Sequence, residues 1–299
     1  MLPVVATPFD ADGDIDVAAL RDEVDWLFDN GADGITIAMV SEIQRLTPTE
    51  RVELTAAVTA AVRHRGPVVA SVGAESTRIA RELAAAMTSC GADALMVAPP
   101  LLTAVNGREL ASHVAEIASV TTLPLVVQDA SGYVGAPIAA RVQADLVCTY
   151  PPGRIMLKPE AVPIGPVITA IRTLVAEAAL LFDGSGGIAL METHRRGAIG
   201  TMPGPDLVWA IRAIWDALEA QDSASAARVS DPLCALQSMV SSLDGYIAFE
   251  KHLLVRQGVI PHAYVRGPRG FIVDGVLTDL ADAALARIRH AVDQPSPSV

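Results

Sequence analysis

The chain has 299 residues, of which 51% are hydrophobic, 19% charged and 4% aromatic. This composition excludes a disordered chain, a collagen-like chain and a small disulfide scaffold, and it supplies enough apolar side chains for a large core. With 22 basic against 34 acidic residues, the formal net charge of −12 makes nucleic acids and anionic membrane surfaces poor partners.

Short runs of apolar residues alternate along the chain with longer segments of helical periodicity. The predicted strands are Val4–Ala6, Gly34–Val40, Pro67–Val72, Ala94–Ala98, Leu125–Gln128, Ile155–Leu157, Leu180–Asp183 and Ile199–Met202. The predicted helices lie near residues 17–30, 48–64, 77–90, 107–119, 137–144, 164–176, 188–196 and 205–220. The strands are continuously apolar, which is typical of parallel strands covered on both faces.

Glycine marks several predicted helix ends. Gly31, Gly91 and Gly197 each stand just before a predicted strand, where a helix commonly ends in a left-handed conformation that glycine adopts without strain. Eight strand–helix pairs predict an α/β fold, a (β/α)8 TIM barrel, over residues 1–220. A doubly wound parallel sheet has the same alternation and stays open as the alternative.

After the barrel the periodicity is helical only. Three helices are expected near residues 223–243, 246–257 and 277–293, and they form a C-terminal helical extension over residues 221–293. Residues 294–299 contain two prolines and no core-forming pattern, so we expect a flexible tail there.

The sequence also predicts the cellular compartment of the protein. Its three cysteines are far apart and in no C-x-x-C pattern, which favours a reducing compartment. The first residues lack the basic and apolar regions of a signal peptide. No apolar stretch of about 18 residues is free of charges and turn residues. We therefore expect a cytoplasmic protein without a transmembrane helix.

Lysine is rare in this chain, because 20 of the 22 basic residues are arginine and only Lys158 and Lys251 are lysines. Lys158 closes the sixth predicted strand, and the reactive groups of a barrel lie at the carboxyl ends of its strands. An amine among apolar neighbours can attack a carbonyl, which a guanidinium cannot do. An ordinary ion pair is the alternative for Lys158. Lys251 falls on a predicted late helix beside His252, where we expect a solvated or capping role.

No metal site or cofactor is predicted. The six histidines lack the short spacing of metal ligands and fall mostly on predicted helices. The segment Gly184, Ser185, Gly186 and Gly187 follows the seventh predicted strand and precedes a helix, which favours an anion-binding loop; a plain tight turn is the alternative. The segment lacks the G-x-G-x-x-G spacing of a dinucleotide site.

Several motifs accompany Lys158 along nearly the whole chain. They are the opening Thr7-Pro8-Phe9, Glu42 followed by Leu46-Thr47-Pro48-Thr49-Glu50-Arg51, and Gly197-Ala198-Ile199-Gly200-Thr201-Met202. Together with the strand-end lysine they resemble the dihydrodipicolinate synthase / N-acetylneuraminate lyase family of Schiff-base-forming barrels. This resemblance implies appended C-terminal helices, a metal-free class I mechanism through Lys158 and a homotetramer.

The sequence departs from the family's pattern at the substrate site. The family's Gly-Thr-Thr-Gly-Glu turn, which holds the carboxylate of a 2-oxo acid, reads Ala38-Met39-Val40-Ser41-Glu42 here, so Ser41 is the candidate replacement for the lost hydroxyls. The family's proton-relaying Tyr-Asn pair reads Gln128-Asp129. Its substrate-binding arginine aligns with Tyr133, and its paired tyrosines align with Leu101-Leu102. The resemblance therefore implies a member that is not a true dihydrodipicolinate synthase.

Glu160, Asp129 and Tyr133 are the candidates to replace the missing relay. Side chains two apart on a strand share a side, so Glu160 faces the same way as Lys158 if the strand continues past Pro159. A carboxylate there would act as a general acid or base. The alternative for Glu160 and Asp129 is a loop cap or an ion pair, and for Tyr133 a packed loop aromatic.

The leading hypothesis is a lyase that acts on a small-molecule 2-oxo acid through a Lys158 Schiff base, with Glu160 and Tyr133 as further catalytic groups. The predicted substrate-binding residues are Val40, Ser41, Gln128, Asp129, Gly184, Ser185, Gly186 and Met202. The replaced tyrosine relay favours a 2-keto-3-deoxy sugar acid dehydratase or aldolase, and the sequence leaves these two chemistries open. The rival hypothesis is a non-catalytic paralogue that binds a 2-oxo or sugar acid.

Overall fold

The computed structural model describes residues 1–294, so residues 295–299 of the expected flexible tail lie outside it. The strands are β1 (Ile35–Ile37), β2 (Val68–Ser71), β3 (Ala94–Val97), β4 (Leu125–Asp129), β5 (Ile155–Pro159), β6 (Leu180–Asp183) and β7 (Gly200–Thr201). The helices are α1 (Val17–Asp29), α2 (Pro48–Val62), α3 (Thr77–Ser89), α4 (Gly107–Ala118), α5 (Ala140–Thr149), α6 (Ile164–Val175), α7 (Leu190–Arg195), α8 (Val208–Glu219), α9 (Ser223–Gln237), α10 (Leu243–Arg256) and α11 (Gly275–Asp293). Two 3-10 turns lie at Met39–Ser41 and Ala176–Ala178.

The seven strands are parallel, and each pairs with its sequence neighbour in the order β1 to β7. The amino-terminal segment closes this sheet. The Leu2 amide donates to the carbonyl of Thr201 in β7 over 2.9 Å, and the Val5 amide donates to a carbonyl of β1 over 3.0 Å. The predicted barrel is confirmed, with one difference. The predicted strand Val4–Ala6 is a single bridge at Val4, because beyond it the Val5 carbonyl accepts from the Ser41 hydroxyl instead of from an amide of the neighbouring strand.

Local chemistry sets the helix ends. Gly31, Gly91 and Gly197 have φ angles of 91°, 86° and 83°, the left-handed conformation that their positions predict. At the start of α2 the Thr47 hydroxyl accepts from the Glu50 amide over 3.2 Å, and the Glu50 carboxylate accepts from the Thr47 amide over 2.8 Å. This reciprocal capping box fixes where the chain enters the helix.

Alternation along the strands separates an inner layer from an outer layer. The inner layer is filled by the buried apolar side chains of Val4, Ala38, Val69, Ala94, Met96, Val126 and Met202. The residues between them, such as Leu95 and Leu157, belong to the larger core between the strands and the surrounding helices. Because Lys158 follows the outward-facing Leu157 on the same strand, the alternation directs the Lys158 side chain to the inside of the barrel.

The C-terminal helices take two different positions. α9 and α11 pack with α8 into a second apolar core, to which α10 adds Phe249 and Leu253; α10 also lies against the 3-10 turn Met39–Ser41 at the carboxyl end of β1. Two helix bounds differ from the predicted ones. α9 ends at Gln237, and α10 begins after Ser242, whose hydroxyl accepts from the Gly245 amide. Within residues 1–294, none of the helices combines the length and the apolar character needed to span a membrane.

Candidate active site

Lys158 lies inside the barrel at the carboxyl end of β5, beside Gln128 in the register of the β4–β5 pair. Its side chain is 4% exposed, and its Nζ lies 3.2 Å from Glu160 Oε1. β5 continues through Pro159, so Lys158 and Glu160 face the same side, as their spacing predicts. The structure therefore places an amine and a carboxyl in direct contact at the barrel mouth.

The Glu160 carboxyl is held by side chains from β4 and the turn that follows it. Gln128 Nε2 donates to Glu160 Oε2 over 2.6 Å, and the Tyr133 hydroxyl donates to the same oxygen over 3.2 Å. Gly184 leaves room for this carboxyl, since a Cβ there would lie 2.5 Å from Glu160 Cγ. Burial raises the pKa of Glu160, and Lys158 opposes this effect. A carboxyl with these opposing influences is suited to exchanging protons with a bound molecule.

Tyr133 lies in the turn after β4 and packs edge-on against Tyr246 of α10, with 6.2 Å between the ring centroids. Burial, and then the charge of Glu160, raise the pKa of Tyr133 well above its ordinary value of 10.0. The hydroxyl therefore stays protonated at neutral pH and serves as a donor to Glu160. Tyr133 is thus both a packed loop aromatic and a polar contact of the site.

These side chains open into a cavity of about 520 Å³ at the carboxyl ends of the strands. The predicted site residues that line it are Lys158, Glu160, Tyr133, Val40, Gln128, Gly184, Ser185, Gly186 and Met202. Its wall also includes apolar side chains such as Ile164, Ile188 and Met191. A largely apolar cavity with a few convergent polar groups is typical of a small-molecule site.

Two predicted substrate-binding residues do not line this cavity. The buried Ser41 hydroxyl donates to a carbonyl of the amino-terminal segment over 2.6 Å, so it does not replace the missing threonine hydroxyls. The Asp129 carboxylate accepts from the amides of Ser131 over 3.1 Å and Ile138 over 2.9 Å, and so caps the turn after β4. Alternation explains its direction, because Asp129 follows the inward-facing Gln128 on the same strand.

The glycine-rich loop after β6 lines the cavity without forming a helix start. The next helix, α7, begins only at Leu190 and has six residues. The buried Asp183 organises the loop, because it accepts from the hydroxyls of Ser185 over 2.9 Å, Thr193 over 3.1 Å and Thr201 over 3.1 Å. The Ser185 hydroxyl is therefore used within the loop, which favours the tight-turn interpretation over an anion site at a helix start.

The expected solvated or capping role of Lys251 is wrong, because this residue is 1% exposed. Its ammonium group pairs with the Glu42 carboxylate and donates to the carbonyls of Thr7 over 2.6 Å and Tyr264 over 2.8 Å. Burial lowers the pKa of Lys251, and Glu42 opposes this effect. Both lysines of the chain are therefore buried beside carboxylates at the carboxyl end of the barrel.

The helical extension contributes cavity residues that the sequence analysis missed. Tyr246 and Glu250 come from α10, and Ser230 and Gln237 come from α9. Tyr246 and Glu250 are four residues apart and therefore share one face of α10. This spacing was visible in the sequence, but nothing local indicated that the face covers the barrel mouth.

The fold is a closed parallel barrel, and its candidate site is built around an amine. This amine belongs to a buried lysine at a strand end, with a carboxyl oxygen 3.2 Å away. In the part of the chain that the structure describes, no cluster of three or more His, Cys, Asp or Glu side chains is arranged to hold a metal ion. The chain belongs to the dihydrodipicolinate synthetase family, whose sequence model matches residues 1–284. Members of this family are carbon–carbon lyases.

Curated relatives match part of the chain. The 4-hydroxy-tetrahydrodipicolinate synthase of Moorella thermoacetica is 35% identical over 127 residues, which cover 42% of this chain and 44% of the relative. The enzyme of the same name from Corynebacterium aurimucosum is 34% identical over 135 residues, 45% of each chain. The chain thus matches less than half the length of these two relatives.

Solved structures match nearly the whole chain. Dihydrodipicolinate synthase from Rhodopseudomonas palustris has a TM-score of 0.86 at 21% identity, covering 96% of this chain and 97% of its own. A prophage protein of the dihydrodipicolinic acid synthase family from E. coli K12, in complex with pyruvate, has a TM-score of 0.85 at 20% identity, covering 96% and 98%. At these identities the likeness shows the fold.

Proposed function

We propose that this protein is a metal-free class I lyase that acts on a 2-oxo acid through a Schiff base at Lys158. We assign it to the 2-keto-3-deoxy sugar acid dehydratases or aldolases and not to the dihydrodipicolinate synthases. The observation that carries this proposal is the Lys158 amine inside the cavity, 3.2 Å from the Glu160 carboxyl. The pyruvate held by the E. coli relative is a 2-oxo acid, which supports the substrate class.

In this mechanism the neutral amine of Lys158 adds to the keto carbon, and loss of water gives a protonated imine. The imine nitrogen draws electrons from the neighbouring carbon, so that a proton or a carbon–carbon bond there is more easily lost. Glu160 carries the protons of these steps, since it lies next to the amine. Gln128 and Tyr133 hold the Glu160 carboxyl in position and donate hydrogen bonds to it.

The cavity residues suggest how the substrate is oriented. We place its carboxylate against Val40 in the turn after β1, and its variable, hydroxylated end against Gln128 and the loop residues Gly184–Gly186. Met202 belongs to the inner layer of the barrel and closes the floor of the cavity. Ser41 has no part in this arrangement, because its hydroxyl is bonded to the backbone.

Borohydride trapping tests the proposal. Incubation with pyruvate or a 2-keto-3-deoxy acid, followed by borohydride, should leave a reduced adduct that mass spectrometry maps to Lys158. Lys158→Arg should keep the charge and the fold but give no adduct and no turnover, because a guanidinium cannot form an imine. Lys251 supplies an internal control, since it is the only other lysine and is buried away from the cavity lining.

The rival candidate is a non-catalytic paralogue that binds a 2-oxo or sugar acid. One observation favours it, namely that the apolar Met39 and Val40 line the cavity where the family pattern has two threonines. The same trapping experiment separates the two candidates. Absence of an adduct with every tested 2-oxo acid, beside a relative that is trapped normally, would show that Lys158 is not a nucleophile. Binding of these acids in calorimetry would then support the paralogue.

We infer that the protein works in the cytoplasm. Cys90, Cys148 and Cys234 all lie within the described residues, and none of them forms a disulfide. Unpaired cysteines suit a reducing compartment. Expression of the tagged protein in cells, followed by fractionation, tests this location.

A further inference from the structure

Glu250 is a second buried carboxyl in the cavity that holds Lys158 and Glu160; the cavity's other carboxyl, Glu192, is exposed. It comes from α10, which covers the barrel mouth, and the residue is 7% exposed. The proposed Schiff-base mechanism gives it no task. A buried carboxyl that faces a bound molecule beside a reactive amine is a candidate acid or base.

The backbone fixes where this carboxyl lies. A Cβ at position 204, just after β7, would lie 2.6 Å from Glu250 Cδ, so the carboxyl rests against a glycine that has no side chain. Glu160 rests in the same way against Gly184, just after β6. The two carboxyls are thus seated on glycines at the ends of neighbouring strands, one from the barrel and one from the extension.

The surroundings of Glu250 and Glu160 differ in charge. Burial is the largest cause that raises the pKa of Glu250 well above its ordinary value, and the carboxyls of Asp206 and Glu23 raise it further. Asp206 lies between β7 and α8, and Glu23 lies on α1. Lys158 on β5 is the cation that opposes them. Glu160 has the same lysine within 3.2 Å and two further donors.

Two carboxyls with different charged neighbours in a single cavity can divide the roles of base and acid between them. Glu160, paired with Lys158, is suited to accept a proton. Glu250, which is buried and has the carboxyls of Asp206 and Glu23 near it, is suited to donate one. Aldol cleavage would instead need a base for the substrate's C4 hydroxyl, a role that a protonated carboxyl cannot fill.

We propose that Glu250 is the general acid that protonates the departing hydroxyl of the substrate, so that the reaction is a dehydration. This inference rests on the proposed Schiff base at Lys158. The substrate class is a 2-oxo acid with hydrogens on C3 and a hydroxyl on C4.

The proposed step balances in protons and electrons. In the imine with Lys158, Glu160 takes a proton from C3 and the electron pair of that bond forms the C3–C4 double bond. The C4–O bond breaks, and the oxygen leaves as water with the proton of Glu250. Hydrolysis of the imine releases a 3,4-unsaturated 2-oxo acid. Transfer of one proton from Glu160 to Glu250 through the cavity restores the starting state, and nothing is oxidised or reduced.

The test uses 2-keto-3-deoxygluconate with the wild type and Glu250→Gln, which resembles the neutral acid in shape. The variant should still be trapped by pyruvate and borohydride at Lys158, whereas its dehydration rate should fall by about 100- to 10,000-fold. In the wild type the dehydration rate should fall as the pH rises past the pKa of Glu250. The variant should lack this alkaline decrease, which a merely structural role would not affect.

Two further variants sharpen the test. Gly204→Ala pushes the Glu250 carboxyl from its seat and should lower dehydration while sparing the pyruvate adduct. Glu53→Gln removes an exposed carboxyl of α2 and should change neither readout.

The outcomes separate this inference from the proposed function. Release of pyruvate and an aldehyde from the wild type, or full dehydration by Glu250→Gln, would overturn the role of Glu250 and leave the Schiff base standing. Failure of the wild type to form any adduct at Lys158 would refute the Schiff base itself, and the dehydration with it.

Discussion

Glu23 is a buried carboxyl of α1 that lies near both Glu250 and Lys251. Its Oε1 accepts from the Ala6 amide over 2.7 Å, and its Oε2 has no hydrogen-bond partner among the described residues. Burial raises its pKa from 4.5 to about 8. Between these pH values the folded chain keeps a proton that the unfolded chain has lost, so the free energy of unfolding falls as the pH rises.

We expect Glu23→Gln to remove this part of the pH dependence. The stabilising contribution of Glu23 is complete below pH 4.5 and is lost as the pH rises to about 8, a change on the order of 4 kcal/mol. Glutamine keeps the oxygen that accepts from Ala6 and does not ionise. The variant should therefore be more stable than the wild type at pH 8, and the difference should shrink at pH 5.

Urea unfolding at both pH values measures this difference. Glu53→Gln, on the exposed face of α2, serves as the matched control and should follow the wild type at both pH values. If Glu23→Gln and the wild type lose the same stability between pH 5 and pH 8, the raised pKa of Glu23 is refuted.

The alternation of side chains between the two faces of a strand explains which site residues could be predicted from the sequence. The two-residue spacing of Lys158 and Glu160 is enough to predict that both face one side of β5. Applied to β4, the same rule separates Gln128 from Asp129 and would have removed Asp129 from the expected site. Ser41 lies in a 3-10 turn, where the two-residue period does not hold, so its direction was not predictable in this way.

At the scale of elements, ion pairs hold α10 against the barrel, and one of them is fully buried. Lys251 of α10 meets Glu42, which follows the 3-10 turn after β1, and both side chains are nearly inaccessible to solvent. The Lys251 ammonium also donates to backbone carbonyls from both ends of the chain, those of Thr7 and Tyr264. Because α10 carries Tyr246 and Glu250, this ion pair also sets one wall of the cavity.

We expect Lys251→Met to destabilise the protein by roughly 3 kcal/mol, because it leaves the buried Glu42 carboxylate without its closest cation. The double variant Glu42→Gln/Lys251→Met should recover part of this loss, since both charges of the pair are then removed together. Arg78→Met, which removes one partner of an exposed pair with Glu82, should change stability by less than about 0.5 kcal/mol. Urea unfolding compares the three variants. A Lys251→Met protein as stable as Arg78→Met would contradict the fastening role.

The barrel elements were predictable because their signals are local. Apolar runs, a capping box and glycines after helices each lie within a few residues of the feature that they mark. The position of α10 depends instead on contacts between residues far apart, since Lys251 and Glu42 are 209 residues apart in the chain. For this reason the helices of the extension were expected, whereas Tyr246 and Glu250 were missed as cavity residues.

At the scale of the whole molecule, the barrel supplies the amine and the extension supplies a second set of side chains. Lys158 lies on β5 and Glu160 directly follows this strand, whereas Tyr246 and Glu250 lie on α10. A chain truncated after α8 would keep the lysine but lose one wall of the cavity. The helical extension is therefore part of the site and not only a support for the barrel.

The loop after β3 presents an apolar side chain at the surface. Leu102 is 88% exposed, while its own amide and that of Leu101 donate to the Glu75 carboxylate, which holds the loop in place. In the family pattern this loop carries the paired tyrosines. An apolar side chain held outward by a fixed backbone is suited to contact another copy of the chain.

We expect a homotetramer of about 125 kDa, four times the 31.2 kDa of one chain, in sedimentation velocity. Leu102→Asp puts a charge where two copies would meet, and burying an unpaired charge in an interface is costly, so this variant should shift the distribution towards smaller species. Leu280→Asp, at an exposed position of α11, is the matched control and should leave the tetramer intact. A wild-type protein that sediments as a single chain would refute the tetramer. A tetramer that is unchanged by Leu102→Asp would place the subunit contact elsewhere on the surface.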